Sequence, residues 1–241
     1  MQRLGFIIAL GLLLLTGATF WLRPDLDLTA ARLFVNASGA FIGATPAGEF
    51  LRKAGYIVPF GLFAGTVIGW IARTAGFHRF RLPGGRAVFF LALTLAIGPG
   101  LLVNTVLKDN SHRPRPVQTE ELGGKLAFRP WYRFDGGCMR NCSFVSGEAS
   151  SAFWTLAPAL LTPPSIRVPA VAAALVFGTA VAGLRMAFGG HYLSDSLISA
   201  LLTILIVLGC YRLLFGGRPV PKEAGEGLVR DPDLRGDIAP L

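Results

Sequence analysis

The chain has 241 residues, of which 52% are hydrophobic and only 15% charged, with a formal net charge of +9. A soluble domain carries roughly 25% charged residues, so the composition points to a membrane protein. The basic residues form no single stripe and no nucleic-acid motif, which sets nucleic acid aside and leaves lipid headgroups or anionic ligands as partners.

Six apolar blocks dominate the chain: Gly5–Leu22, Ile57–Ala72, Ala87–Leu107, Phe144–Leu161, Val168–Leu184 and Tyr192–Phe215. A helix of about 20 apolar residues spans the ~30 Å hydrocarbon layer. The blocks predict an all-α fold, an integral membrane six-transmembrane-helix bundle over residues 1–215, with both termini on one side. The second, fourth and fifth blocks are short for a span, so little tilt or an end in a polar cavity is expected. The first block follows Arg3 and exits through "TFWLRPDLD" without a small-x-small cleavage site. It reads as a retained helix rather than a signal peptide.

Arg23–Gly55 links the first two blocks. Leu26, Ala30, Leu33 and Ala37 can share a helical face there, with Phe34 beside them, which predicts an interfacial segment on the outer surface. The loop Arg73–Arg86 holds four arginines in 14 residues and reads as cytoplasmic. Gly98-Pro99-Gly100 should kink the third helix. Residues 216–241, rich in Pro, Gly and charge, read as a disordered tail inside the cell.

The outer segment Lys108–Arg140 is unusually basic. "KDNSHRPRP" places Lys108, His112, Arg113 and Arg115 together, a set suited to a phosphate because Arg offers planar paired donors and Lys a mobile point charge. A collar for lipid headgroups is the alternative. Lys125, Arg129, Arg133 and Arg140 could extend a polyanion-binding rim, and the aromatics of Phe128–Phe134 suit an interfacial belt. Cys138 and Cys142 could form a disulfide in an oxidising compartment, with free thiols as the alternative. Zinc lacks a second ligand pair.

Two further helix mouths carry polar residues. In "FVSGEAS", Ser146 can cap a helix, Gly147 admits close approach of a ligand, and Glu148 follows. An acid at a helix start is also ordinary. In "LRMAFGGHYLSD", Arg185 ends one helix and His191 opens the next. Asp195, four residues on, shares its helical face. That spacing lets the carboxylate accept a hydrogen bond from one imidazole nitrogen and leaves the other as a nucleophile or base.

Together the three segments resemble the type 2 phosphatidic acid phosphatase superfamily, which includes membrane lipid phosphatases and soluble vanadium haloperoxidases. Its signature is K-x6-R-P, P-S-G-H and S-R-x5-H-x3-D. Here the first is complete (Lys108, Arg115, Pro116). The third has Leu184 in place of Ser before Arg185, His191 and Asp195. The second carries Val145 for Pro and Glu148 for His. The resemblance implies that Lys108, Arg115 and Arg185 bind the phosphate oxygens, with Ser146 and the Gly147 N–H as further donors. It also implies that His191 becomes a phosphohistidine and that Asp195 orients it. No metal or other cofactor is required.

The leaving-group acid departs from the family. Glu148 stands where the family has His, and it must carry a proton before the step. His112 is the alternative acid, and a good leaving group would need neither. The expected enzyme hydrolyses a lipid phosphate or pyrophosphate at the outer, periplasm-facing side of a bacterial-type inner membrane. Lipid A is the first-choice substrate and undecaprenyl pyrophosphate the second. The rival readings are a lipid phosphotransferase and a non-catalytic lipid-phosphate binder or transporter.

Overall fold

The computed structural model describes residues 2–77 and 82–216; the tail expected over 216–241 lies outside them, except for Gly216. The helices are α1 (Gln2–Leu22), α2 (Asp25–Arg32), α3 (Pro46–Thr74), α4 (Gly85–Leu95), which continues into a π-helical stretch over Ala96–Leu107, and α5 (Lys108–Asn110). They are followed by α6 (Gly147–Phe153), α7 (Leu156–Leu160), α8 (Pro164–Ala187) and α9 (Leu193–Phe215). Among the described residues no strand forms, and the fold is an all-α membrane bundle. Five helices are long and apolar enough to cross a membrane by length and composition: α1, α3, α4 with its π-helical extension, α8 and α9.

The second span starts well before its apolar block. Thr45 caps α3 by accepting from the Gly48 N–H at 3.0 Å, and Pro46 occupies the first turn, where its missing N–H costs nothing. The helix therefore runs through Glu49, Arg52 and Lys53, residues that hide it from a hydropathy reading. The expected short second and fifth spans are instead helices of 29 and 24 residues. In the third span, Pro99 is accommodated by wider π-helical turns, and Asn104 Nδ2 donates to the Pro99 carbonyl at 2.6 Å.

The fourth block is not one helix. It is α6 and α7, broken at Trp154 and Thr155, with Pro158 in the second piece. Its small residues Ala149, Ser150, Ser151 and Ala152 are buried in the protein rather than facing lipid. Ser150 Oγ meets Thr203 Oγ1 of α9 at 2.7 Å, and Trp154 Nε1 donates to Thr94 Oγ1 at 2.9 Å. Trp154, Leu160, Phe90, Val207 and Tyr211 form the core beside it. Exposed apolar side chains such as Ile7, Leu14, Ile57, Ile68 and Leu213 supply the outer surface of the bundle.

The linking segment does form a helix, α2, but on a different face from the expected one. Asp27 and Ala31 are buried, whereas Leu33 is 79% exposed. The cause is a polar partner for Asp27 far away in the chain. Trp131 and Tyr132 pack against Trp21 at the end of α1, with ring centroids 6.3 and 4.1 Å away.

Candidate active site

A cavity of about 530 Å³ opens among α3, the π-helical stretch, α6 and the α8–α9 turn. It gathers six of the residues read from the sequence: Lys108, Arg115, Gly147, Glu148, Arg185 and His191. Phe60, Leu95 and Pro99 form an apolar part of its wall.

The segment after α5 is tied to the turn that carries His191. The Val117 N–H donates to the Gly189 carbonyl at 3.0 Å, and the Ser143 N–H to the Arg113 carbonyl at 2.9 Å. Gly189 has φ +61, which a glycine adopts without strain. A Cβ on Gly147 would lie 2.5 Å from Asn104 Oδ1, so the Asn104 side chain would have to shift to admit one.

His191 is 2% exposed, and its Nδ1 lies 2.6 Å from the Ser143 carbonyl oxygen. A carbonyl only accepts, so Nδ1 carries the proton. Burial first, then the charges of Arg185, Arg115 and Lys108, holds this histidine well below its ordinary value. The imidazole is therefore neutral at pH 7, with its lone pair on Nε2. Asp195 does not orient the ring directly, contrary to expectation. Its Oδ2 is 3.9 Å from Nδ1, beyond hydrogen-bond reach. That oxygen instead accepts from Ser143 Oγ at 2.5 Å and from the Tyr192 N–H at 2.9 Å. His191 precedes Tyr192, the N-cap of α9, so the helical spacing expected for the pair does not apply, and the Ser143 carbonyl takes the imidazole proton.

Glu148 Oε1 is 3.5 Å from Arg185 Nε. Among the described residues its buried Oε2 has no hydrogen-bond partner, nor has Arg185 Nε. Arg115 gives both Nε and Nη2 to the Asn141 carbonyl, at 3.0 and 2.8 Å. Asn141 lies between Cys138 and Cys142, which form a disulfide.

Other sequence expectations fall elsewhere. Ser146 is buried and off the cavity wall; its Oγ caps α6 by accepting from the Ala149 N–H at 3.4 Å. His112 is also off the wall, with Nδ1 3.0 Å from the Cys138 carbonyl. Arg113 points away into a buried ion pair with Asp27 and Asp195, so it is no phosphate ligand. The expected rim does not surround the cavity either. Arg129 and Arg133 pair with Asp135 at 3.4 and 2.6 Å, while Lys125 and Arg140 are exposed elsewhere.

The sequence reading missed Arg52 and Tyr56, one turn apart on α3 and both on the cavity wall. Their signal was the Thr45-Pro46 helix start, which places the charged stretch on a helix. Among the described residues, no group of His, Cys, Asp or Glu is placed to hold a metal ion.

The model of the PAP2 superfamily matches residues 87–218. The chain is similar to the lipid A 4'-phosphatase of Francisella tularensis subsp. novicida (strain U112), 34% identical over 218 residues. That alignment covers 89% of this chain and 98% of the relative. It is also similar to the lipid A 4'-phosphatases of Rhizobium etli (strain ATCC 51251 / DSM 11541 / JCM 21823 / NBRC 15573 / CFN 42) and Rhizobium leguminosarum. The first is 37% identical over 198 residues, 78% of this chain and 73% of the relative. The second is 44% identical over 113 residues, 47% of this chain and 48% of the relative. No solved structure matches. The family model spans more than half of the chain and a relative aligns along nearly its whole length, so this chain belongs to the PAP2 superfamily.

Proposed function

We propose that the protein is a lipid A 4'-phosphatase working through a phosphohistidine on His191. That it is a membrane lipid phosphatase rests on its family and its relatives. The observation that carries the finer reading is the neutral, Nδ1-protonated His191 on the wall of a cavity that also holds Lys108, Arg115 and Arg185.

A phosphate monoester enters with its non-bridging oxygens facing those three cations and the Gly147 N–H. Charge stabilisation at these oxygens is the larger part of phosphoryl-transfer catalysis. Nε2 of His191 attacks phosphorus and forms a P–N bond. The P–O bond to the lipid breaks, and its electron pair leaves with the lipid oxygen. Glu148, protonated before the step, gives that oxygen its proton. Water then attacks phosphorus, Glu148 takes the proton from it, and the P–N bond breaks to release inorganic phosphate. The unpartnered Oε2 of Glu148 supports this role, and the position of His112 off the cavity wall argues against the alternative acid.

The site faces the periplasm in this reading. The disulfide lies on its side of the bundle, as suits an oxidising compartment. The arginine-dense segment Arg73–Arg86 begins at the far end of α3, about 30 Å beyond Arg52 of the cavity wall at 1.5 Å per residue.

The test is phosphate release by purified protein from a panel of lipid A, undecaprenyl pyrophosphate, phosphatidate and phosphatidylglycerol phosphate in mixed micelles. Loss of only the 4'-phosphate from lipid A, read by mass spectrometry, is expected. Turnover of another lipid in its place would overturn the substrate assignment. Appearance of a second phosphorylated lipid without free phosphate would make the protein a phosphotransferase.

A further inference from the structure

Behind His191 lies a run of buried charge that the phosphate chemistry does not touch. Arg113, Asp27 and Asp195 are 0, 1 and 0% exposed. Arg113 Nη1 donates to Asp195 Oδ1 at 2.5 Å and to Ser194 Oγ at 2.9 Å. Its Nη2 donates to Asp27 Oδ2 at 2.7 Å, and its Nε to the Arg129 carbonyl at 2.8 Å. Asp27 also accepts from the Ser194 N–H at 2.8 Å and the Ser194 hydroxyl at 2.6 Å. The Tyr192 ring covers the guanidinium, 4.2 Å from its centroid.

This network ends on the nucleophile. Asp195 Oδ2 holds the hydroxyl of Ser143, and the carbonyl of the same Ser143 holds Nδ1–H of His191. Asp27 is on α2, outside the residues that match the family model. It is joined to the imidazole through Arg113, Asp195 and Ser143 in succession.

Burying three charges is a costly way to join a loop to two helices. Each ion loses several kcal/mol of hydration, and apolar side chains of similar volume often stabilise as well or better. What a fully bonded buried network adds is geometry, because each member has few alternative partners. Burial opposes the charge of Arg113, but Asp195 and Asp27 outweigh it, so the guanidinium stays ionised and the network keeps its form.

We propose that Asp27 and Arg113 are positioning residues for His191, acting through Asp195 and Ser143. They fix the Ser143 carbonyl that keeps the imidazole in its Nδ1–H tautomer, with the Nε2 lone pair available to phosphorus. This rests on His191 being the nucleophile.

Two variants of the full-length protein test it, with lipid A as the probe. Ser143→Ala deletes the one hydroxyl joining Asp195 to the backbone that holds His191 and leaves the carbonyl in place. Asp27→Asn removes a charge with little change of shape. Both are expected to lower kcat by about ten- to a hundredfold, by analogy with the loss of a hydrogen-bond partner behind a metal-bound histidine, with KM within about twofold. In both, 15N NMR of labelled His191 should show mixed tautomers, a signal that a merely structural staple would not move. Asp135→Asn, on the surface loop, should leave kcat unchanged.

A lowered melting temperature with wild-type kcat and a single Nδ1–H tautomer would overturn the proposal. If Asp27→Asn does not fold, the result for Ser143→Ala decides alone. His191→Ala separates the two levels. Turnover in His191→Ala would sink the nucleophile reading, whereas an inactive His191→Ala beside a fully active Ser143→Ala would sink only the positioning role.

Discussion

Glu148 and Arg185 pair on the wall of the cavity, with Oε1 3.5 Å from Nε and neither Oε2 nor Nε hydrogen-bonded among the described residues. The pair is close enough to steer a phosphate and loose enough to admit one. In the proposed mechanism Glu148 turns to the lipid oxygen once the phosphate takes over the guanidinium.

Glu148→Gln should therefore lower kcat on lipid A by about 10²- to 10⁴-fold, the usual contribution of a general acid. The loss should be much smaller on an aryl phosphate, whose leaving group needs no proton. His112→Ala should keep activity within a few-fold, because its ring is bound to the Cys138 carbonyl outside the cavity. Near-normal turnover of lipid A by Glu148→Gln would remove the acid role.

The pattern of what could be read in advance follows from the range of the forces. The first and last spans were placed within a few residues of their observed limits, since a run of about 20 apolar side chains is a local signal. The start of α3 was hidden by Glu49, Arg52 and Lys53, although Thr45-Pro46 marked it. The fourth block had the hydropathy of a span, but Ser150, Ser151 and Pro158 better suit a buried, broken pair. The residues that gather on the cavity wall were legible because their motifs are compact. The partnership of Asp27 with Arg113 joins residues 86 positions apart, and no local pattern encodes it.

Arg52 reaches the cavity from outside the matched motifs, and its charge acts on both Arg115 and Arg185. A hydrogen bond to a charged group contributes about 1.5–3 kcal/mol, and the partial exposure of Arg52 reduces this. Arg52→Ala should lower kcat/KM by about tenfold, chiefly through KM, and Arg52→Lys should recover part of it. Steady-state kinetics on lipid A would show this. An unchanged KM would mean that the guanidinium serves its contacts with Glu49 at 3.4 Å and with the Phe188 ring instead.

The pH dependence has a defined sign. His191 is held well below its ordinary value by burial and by three cations, so the native state binds its proton less readily than the unfolded chain. Below about pH 6.5, the ordinary value for His, the unfolded chain takes up that proton first. The contribution of His191 to stability is thus complete above that pH and is lost as the pH falls from there towards the native value. Melting temperatures from pH 7.5 to 4.5 should drop less steeply in His191→Gln than in the wild type. The acid limb of kcat/KM, which reports the free enzyme, should lie well below 6.5 and move up in Arg185→Gln. Parallel melting curves for wild type and His191→Gln would count against a depressed histidine.

The disulfide bears on binding through one carbonyl. Asn141, with φ +54, sits between Cys138 and Cys142, and its oxygen takes two donors of Arg115. Closing so short a loop stabilises by about 2 kcal/mol in the chain-entropy account, so the global effect of reduction should be modest. The local effect should be larger, because the Asn141 carbonyl loses the constraint that aims Arg115 at the cavity. Cys138→Ser with Cys142→Ser is expected to raise KM for lipid A several-fold with a smaller change in kcat and a melting temperature lower by a few degrees. Dithiothreitol should have the same effect on the wild type and none on the double variant. Equal KM values for oxidised and reduced protein would show that Arg115 is held by the rest of its loop alone.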